Sequence, residues 1–457
     1  MITERLPLEI TSEIFILCAA SISPMTYTRE GIDNVFDVSI PLGLASVCRL
    51  WRSIAHSTPA LWTSFRIYIH SKNFPERVHQ AQQWLSRSGQ LPLSIQIRTP
   101  RLALHRDRRG VPCVELIDLL NGYSHRWRCL DISVPPDLLP PSLFSKATTI
   151  LKAVTLLAAL TPRPLYNFRP FYAWLLGIHW NNITHFTGRY MFVAQALEIL
   201  RLSPQLQEYS LIELYEDEDD NPPPSSLIHL TQLETLLVDS REGALEDFLN
   251  NINVPSLTTF KFNGSDCQSL SCNTVVMFLN RSGCFLKSFS LKNTCMTEEE
   301  IIDLLFTLPY LETLTLGPTS SFDISRWVTD RMLGIFAETA EIPAHLDGAF
   351  LPNLQSLEYM GCVTFSWKCV PLIFGDRRAK ERNSADGPIT KQRPLDCLKM
   401  ELYTRGSDED LHDVVSRMVP LAIEGYGIQI VGRSKDKQGE MWKVRYMTSI
   451  KPECFEI

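Results

Sequence analysis

One six-residue pattern returns along most of the chain and limits what it can fold into. Large apolar residues stand at its first, fourth and sixth positions in Leu206/Tyr209/Leu211, Leu233/Leu236/Val238, Leu257/Phe260/Phe262, Leu286/Phe289/Leu291, Leu311/Leu314/Leu316, Leu354/Leu357/Tyr359 and Leu395/Leu398/Met400. The last two of each triplet alternate as the inward residues of a β-strand do. The first five copies begin 27, 24, 29 and 25 residues apart, and the later gaps of 43 and 41 residues require insertions. Weaker copies at Trp127/Leu130/Ile132, Leu151/Val154/Leu156 and Ile183/Phe186 carry the pattern upstream, to a start around residues 90–130. A chain of 457 residues exceeds the size at which one core keeps growing, so it must divide into domains or stack repeated units.

Between the strand-like hexads the apolar period changes from 2 to 3.6. After Thr297, the residues Ile301, Leu304, Leu305 and Leu308 share one helix face, and Thr297 with Glu300 forms a capping-box signature. Leu245, Phe248, Leu249 and Ile252 repeat the helical spacing, as do Leu411, Val414, Val415 and Met418. Each unit therefore reads as strand, turn, helix. The spacing and the Leu-x-x-Leu-x-Leu pattern resemble leucine-rich repeats, in degenerate form, because the Asn or Cys expected at position 9 occurs only as Cys362. The resemblance implies an irregular α/β solenoid with parallel strands on its concave face. Three segments interrupt it. Glu216 to Asp220 is an unbroken acidic run followed by Asn221 and three prolines, expected as a solvated loop near 214–226, with an acidic docking strip as the alternative. Asp376 to Arg393 holds Arg377, Arg378, Lys380, Arg382, Lys391 and Arg393 diluted by Glu381, Asp386 and Pro388, which reads as a flexible insertion near 374–394, or alternatively as a nuclear-import patch. The cluster Arg101, His105, Arg106, Arg108 and Arg109 has the same two readings.

The N-terminal 62 residues follow a different pattern. Leu6, Ile10, Ile14 and Leu17 fall on one helix face, and Leu44, Val47, Cys48, Trp51 and Ala55 on that of a second helix ended by Pro59. Ser21 to Pro41 has the composition of a loop or insertion. Leu6-Pro7-Leu8-Glu9-Ile10, Ile14-Phe15, Val47-Cys48-Arg49-Leu50-Trp51-Arg52 and Pro59-Ala60-Leu61-Trp62 together resemble an F-box. That family docks on the Skp-type adaptor of a cullin–RING ubiquitin ligase, often ahead of leucine-rich repeats. The resemblance implies an adaptor-binding face of Leu6, Pro7, Leu8, Ile10, Ile14, Phe15, Val47, Cys48 and Trp51. Leu6, Pro7, Leu8, Ile10 and Phe15 are expected to face the adaptor, while core packing competes with that role for Ile14, Val47 and Trp51. Pro7 and Trp51 stand 44 residues apart, longer than in a compact F-box. The expected organisation is an F-box-like helical domain over 1–70, a connecting region with the first irregular repeats over 71–130, and the solenoid over 131–457.

Composition narrows the function. With 44 Lys+Arg against 51 Asp+Glu, the formal net charge of -7 does not favour nucleic acid or an acidic membrane as partner. Twelve cysteines without a C-x-x-C pair read as reduced thiols; the closest cluster, Cys267 with Cys272, is expected to be structural. No secretory signal or membrane span is expected, which points to the cytoplasm, the nucleus or both. Zinc-ligand spacings, phosphate-binding glycine loops and nucleophile–base motifs are missing from the sequence, so no cofactor, small-molecule substrate or catalytic activity is expected. The leading expectation is a ligase substrate receptor that binds the adaptor through the F-box and a target protein through the repeats. The alternative is an interaction scaffold whose F-box-like segment only caps the stack.

Overall fold

The computed structural model describes residues 6–20, 39–68, 74–98, 114–134, 139–140, 142–157, 177–217, 226–241, 243–268, 270–317, 327–340, 342, 348–375, 393–404, 418–421, 423, 426–435 and 442–450. The chain divides into two compact units, Met1–Tyr190 with Leu202–Leu206, and Met191–Arg201 with Gln207–Ile457. In the first, helices α1 (Leu8–Ala20), α2 (Ser39–Val47) and α3 (Arg49–Ser57) precede β1 (Ser64–Tyr68). There follow α4 (Phe74–Arg87), β2 (Leu93–Arg98), α5 (Val114–Asn121), β3 (Trp127–Ser133), β4 (Ala153–Leu157) and β5 (His185–Phe192). These five strands pair in chain order and all in parallel.

The second unit contains α6 (Val193–Leu202), β6 (Glu208–Tyr215), β7 (Ile228–His229), β8 (Thr235–Ser240), α7 (Ala244–Asn250), β9 (Ile252–Asn253) and β10 (Thr259–Gln268). It continues with α8 (Cys272–Ser282), β11 (Ser288–Thr294), α9 (Glu298–Phe306), β12 (Thr313–Gly317), α10 (Asp330–Glu338), β13 (Ser356–Cys362), β14 (Cys397–Thr404), β15 (Gly427–Lys435) and β16 (Trp442–Ile450). Strands β6, β8 and β10 to β15 run parallel in that order, β16 pairs antiparallel with β15, and β7 and β9 form a separate pair. The fold is thus α/β, with parallel strands and intervening helices compatible with a stack of repeats.

All seven strong hexads are strands, and each strand begins two residues after the first leucine of its hexad. Tyr209, Leu236, Phe260, Phe289, Leu314, Leu357 and Leu398 lie directly side by side. Leu211, Val238, Phe262, Leu291, Leu316, Tyr359 and Met400 form the second row, and no hexad residue is more than 3% exposed. Large apolar groups repeated at the strand spacing of about 4.8 Å give one continuous apolar row after another along the stack. A one-residue slip of any strand would turn both its core residues to the opposite face, which fixes the register.

The helices are closed by their neighbours. Arg281 donates to the carbonyls of Leu249 and Ile252 at the end of α7, at 2.6 and 3.1 Å. Arg393 donates to Phe336 O, Thr339 Oγ1, Phe350 O and Leu351 O around the end of α10. In the first unit, Arg126 binds Ser88 and the Leu91 carbonyl just beyond α4. Each guanidinium thus sits at or just beyond a helix C-terminus, where a positive charge meets the negative end of the dipole. Carboxylates serve the opposite ends: Asp217 accepts from Ala194 N, Glu246 from Ser271 N, and Glu298 from both the N–H and the hydroxyl of Thr329, while Asp330 accepts from Ser366 N in the turn that follows β13.

Several expectations are corrected. The helix expected through Leu44 and Ala55 is two, broken at Cys48, whose extended backbone ends one and caps the next. Ser39 to Pro41 belongs to α2 rather than to a loop, and the remainder of the Ser21 segment lies outside the described residues. Parallel pairing begins at Ser64, inside the span assigned to the helical domain, and the span 71–130, expected to hold a connecting region and the first irregular repeats, holds α4, β2, α5 and the start of β3. Helices and first strands share one compact unit, and the division between the two units falls at residues 190–207. Ile252 lies in a short strand after α7 has ended. The parallel strand β15 and the antiparallel β16 extend the second unit past the last expected hexad. Arg393 is a buried clamp, not part of a solvated patch; Asp376 to Gln392, the Arg101 cluster and Leu411 to Val415 lie outside the described residues. The capping box of Thr297 and Glu300 is present with both bonds formed.

Arg393 is 4% exposed, and burial pushes its guanidinium down to about 10, still charged at neutral pH. Replacing it by Met strands several buried carbonyls, so the second unit should lose at least about 2 kcal/mol in urea titrations. Arg393→Lys should not rescue this loss, since one ammonium cannot reproduce the fork of donors. For Glu298 and Thr329, a double-mutant cycle with Glu298→Gln and Thr329→Ala should give a coupling of about 1 kcal/mol in the same assay.

Candidate partner-binding surface

Helix α1 starts where Pro7, which has no N–H to lose, offers its carbonyl to Thr11 N at 3.1 Å. Its sequence is apolar on nearly every side, and neighbouring helices decide which side is buried. Thr11 and Phe15 turn inward, each 2% exposed, and the Phe15 ring meets Trp51 of α3 with centroids 5.0 Å apart. The Thr58 hydroxyl, which donates to the Ile54 carbonyl at the end of α3, lies 3.2 Å from Ser12 Oγ on α1. Between α2 and α3, Cys48 Sγ accepts from Trp51 N at 3.4 Å, and Arg52 Nε donates to the Ala45 carbonyl. Beneath them Trp62 is fully buried, its indole N–H on the Ala55 carbonyl and its ring edge-on to Trp84 of α4.

With Phe15 inside, the stripe of Ile10, Ile14 and Leu17 faces outward. Together with Leu8 of α1, Leu42 and Val47 of α2 and Leu50 of α3, these side chains are between 38% and 66% exposed. Among the nine residues expected to bind an adaptor, Leu8, Ile10, Ile14 and Val47 are exposed apolar groups and Pro7 is exposed. Leu6, Cys48 and Trp51 are half-buried. Phe15, expected to face the adaptor, belongs to the core, and Ile14 lies at the surface, because residues one apart in a helix point about 100° apart and only one can face α3. Val47 is likewise outside rather than in the core. Leu17, Leu42 and Leu50 extend the exposed set beyond the expected residues; Leu17 was legible as part of the Leu6–Ile10–Ile14 stripe.

A second surface is the strand face of the second unit that turns away from the buried rows. Its central row runs Ser210, Leu237, Lys261, Ser290, Thr315, Glu358 and Lys399 on successive strands. Thr315 donates to Glu358, and the Lys292 side chain crosses Gly317 to reach Met360 Sδ at 3.5 Å. A Cβ at Gly317 would stand 3.1 Å from Lys292 Cγ, so the missing side chain makes room for that crossing. Cys272 begins α8 with its thiol on the Glu300 carbonyl, and burial, with Glu300 and Asp303 nearby, pushes that thiol up.

Among the described residues no cluster of three or more His, Cys, Asp or Glu is arranged to hold a metal, and no helix is long and apolar enough to cross a membrane. No protein-family model matches the sequence, and a search of curated proteins returned no match.

Phe15→Ala should cost about 3 kcal/mol or more in thermal or urea unfolding, as for other buried aromatic truncations. Leu17→Ser should stay within about 0.5 kcal/mol of the parent in the same measurement. Desolvation, then Arg87 and Arg52, holds the His56 imidazole below its ordinary value of 6.5. The folded state therefore binds this proton less readily than the unfolded chain, and the associated stability, complete above that value, is lost as pH falls through the depressed one. Melting temperatures recorded between pH 8 and pH 5 should fall less steeply for His56→Gln than for the parent.

Proposed function

We propose that this chain is the substrate-recognition subunit of a cullin–RING ubiquitin ligase. The α1 to α3 face would hold a Skp-type adaptor, and through it a cullin, while the open strand face holds a target protein. The observation that carries this reading is the outward apolar set of Leu8, Ile10, Ile14, Leu17, Leu42, Val47 and Leu50 on three short helices. Water-exposed apolar groups in such number mark a surface that acts when covered. They coincide in part with the residues that the F-box resemblance assigns to adaptor contact. Ubiquitin chemistry belongs, in this reading, to partner subunits. The chain acts by raising the effective concentration of its target beside the conjugating enzyme, and needs no cofactor of its own.

A second reading, a scaffold capped by its N-terminal helices, draws support from the packing of those helices and β1 to β5 into one compact unit. Capping requires only the inward side, with Phe15, Ile54, Ala55 and Trp62, and leaves the outward apolar set without a role.

The two readings separate by titrating a purified Skp-type adaptor into the full chain. Ile10→Glu combined with Leu17→Glu should abolish binding, with the melting temperature close to that of the parent. An unchanged affinity, or no binding by the folded parent, overturns the receptor reading and leaves the scaffold.

A further inference from the structure

No further inference is drawn: the strongest candidate, the open strand face of the second unit where Lys261 and Lys292 stand beside Ser290, Thr315 and Glu358, carries charges of both signs, and nothing in the structure shows what covers it.

Discussion

Everything else in the second unit depends on the in-register stacking of parallel strands through their first apolar row. Leu236, Phe260, Phe289, Leu314 and Leu357 each stand between two neighbours of this row, from Tyr209 at one end to Leu398 at the other. No single strand and helix could hide those side chains alone, so the unit is stable only as a stack. Stacking apolar rows leaves helix ends exposed inside the protein, however, and the arginines and carboxylates that cross between repeats solve that second problem. Arg281 and Arg393 reach carbonyls at the ends of α7 and α10, and Glu246, Glu298 and Asp330 reach N–H groups at the starts of later segments. Apolar burial thus supplies the cohesion, while polar closures between repeats select one alignment among those that burial alone would allow.

The hexads were readable because strand period, burial and repeat spacing agree at each copy, down to strands starting two residues past the first leucine. The capping box at Thr297 was readable for a similar reason: both partners lie within one turn. The arginine clamps were not. Arg393 reaches back 57 residues to Phe336, and nothing local distinguishes it from the basic residues that precede it in sequence. Strands β1 and β2 escaped because their inward residues, Phe65 and Ile67, then Leu93, Ile95 and Ile97, alternate without the leading leucine of the hexad. The break at Cys48 was hidden by apolar residues that keep helical spacing straight across it.

At the N-terminal face, sequence patterning identified the apolar set but not its orientation. In a helix whose apolar residues extend well beyond one stripe, periodicity alone no longer tells inside from outside. The neighbours decide: Trp51 offers Phe15 an aromatic partner, while Thr11 bonds its own helix at the Pro7 carbonyl and can be buried despite its hydroxyl. Ile10, Ile14 and Leu17 are left outside as a result.

The clamp at Arg393 also defines a neck. Arg393 N donates to the Ala340 carbonyl, and a Cβ built on Gly375 would lie 3.3 Å from the Ala340 Cβ. Gly375 and Arg393 therefore stand beside one residue, Ala340, with seventeen residues between them in the sequence. Length added between two such close fixed points costs little, about 0.6 kcal/mol for each doubling of the closed loop. Gly375 and Arg393 make this a natural splice site, where a whole foreign domain could be threaded into the protein without disturbing the strand register on either side.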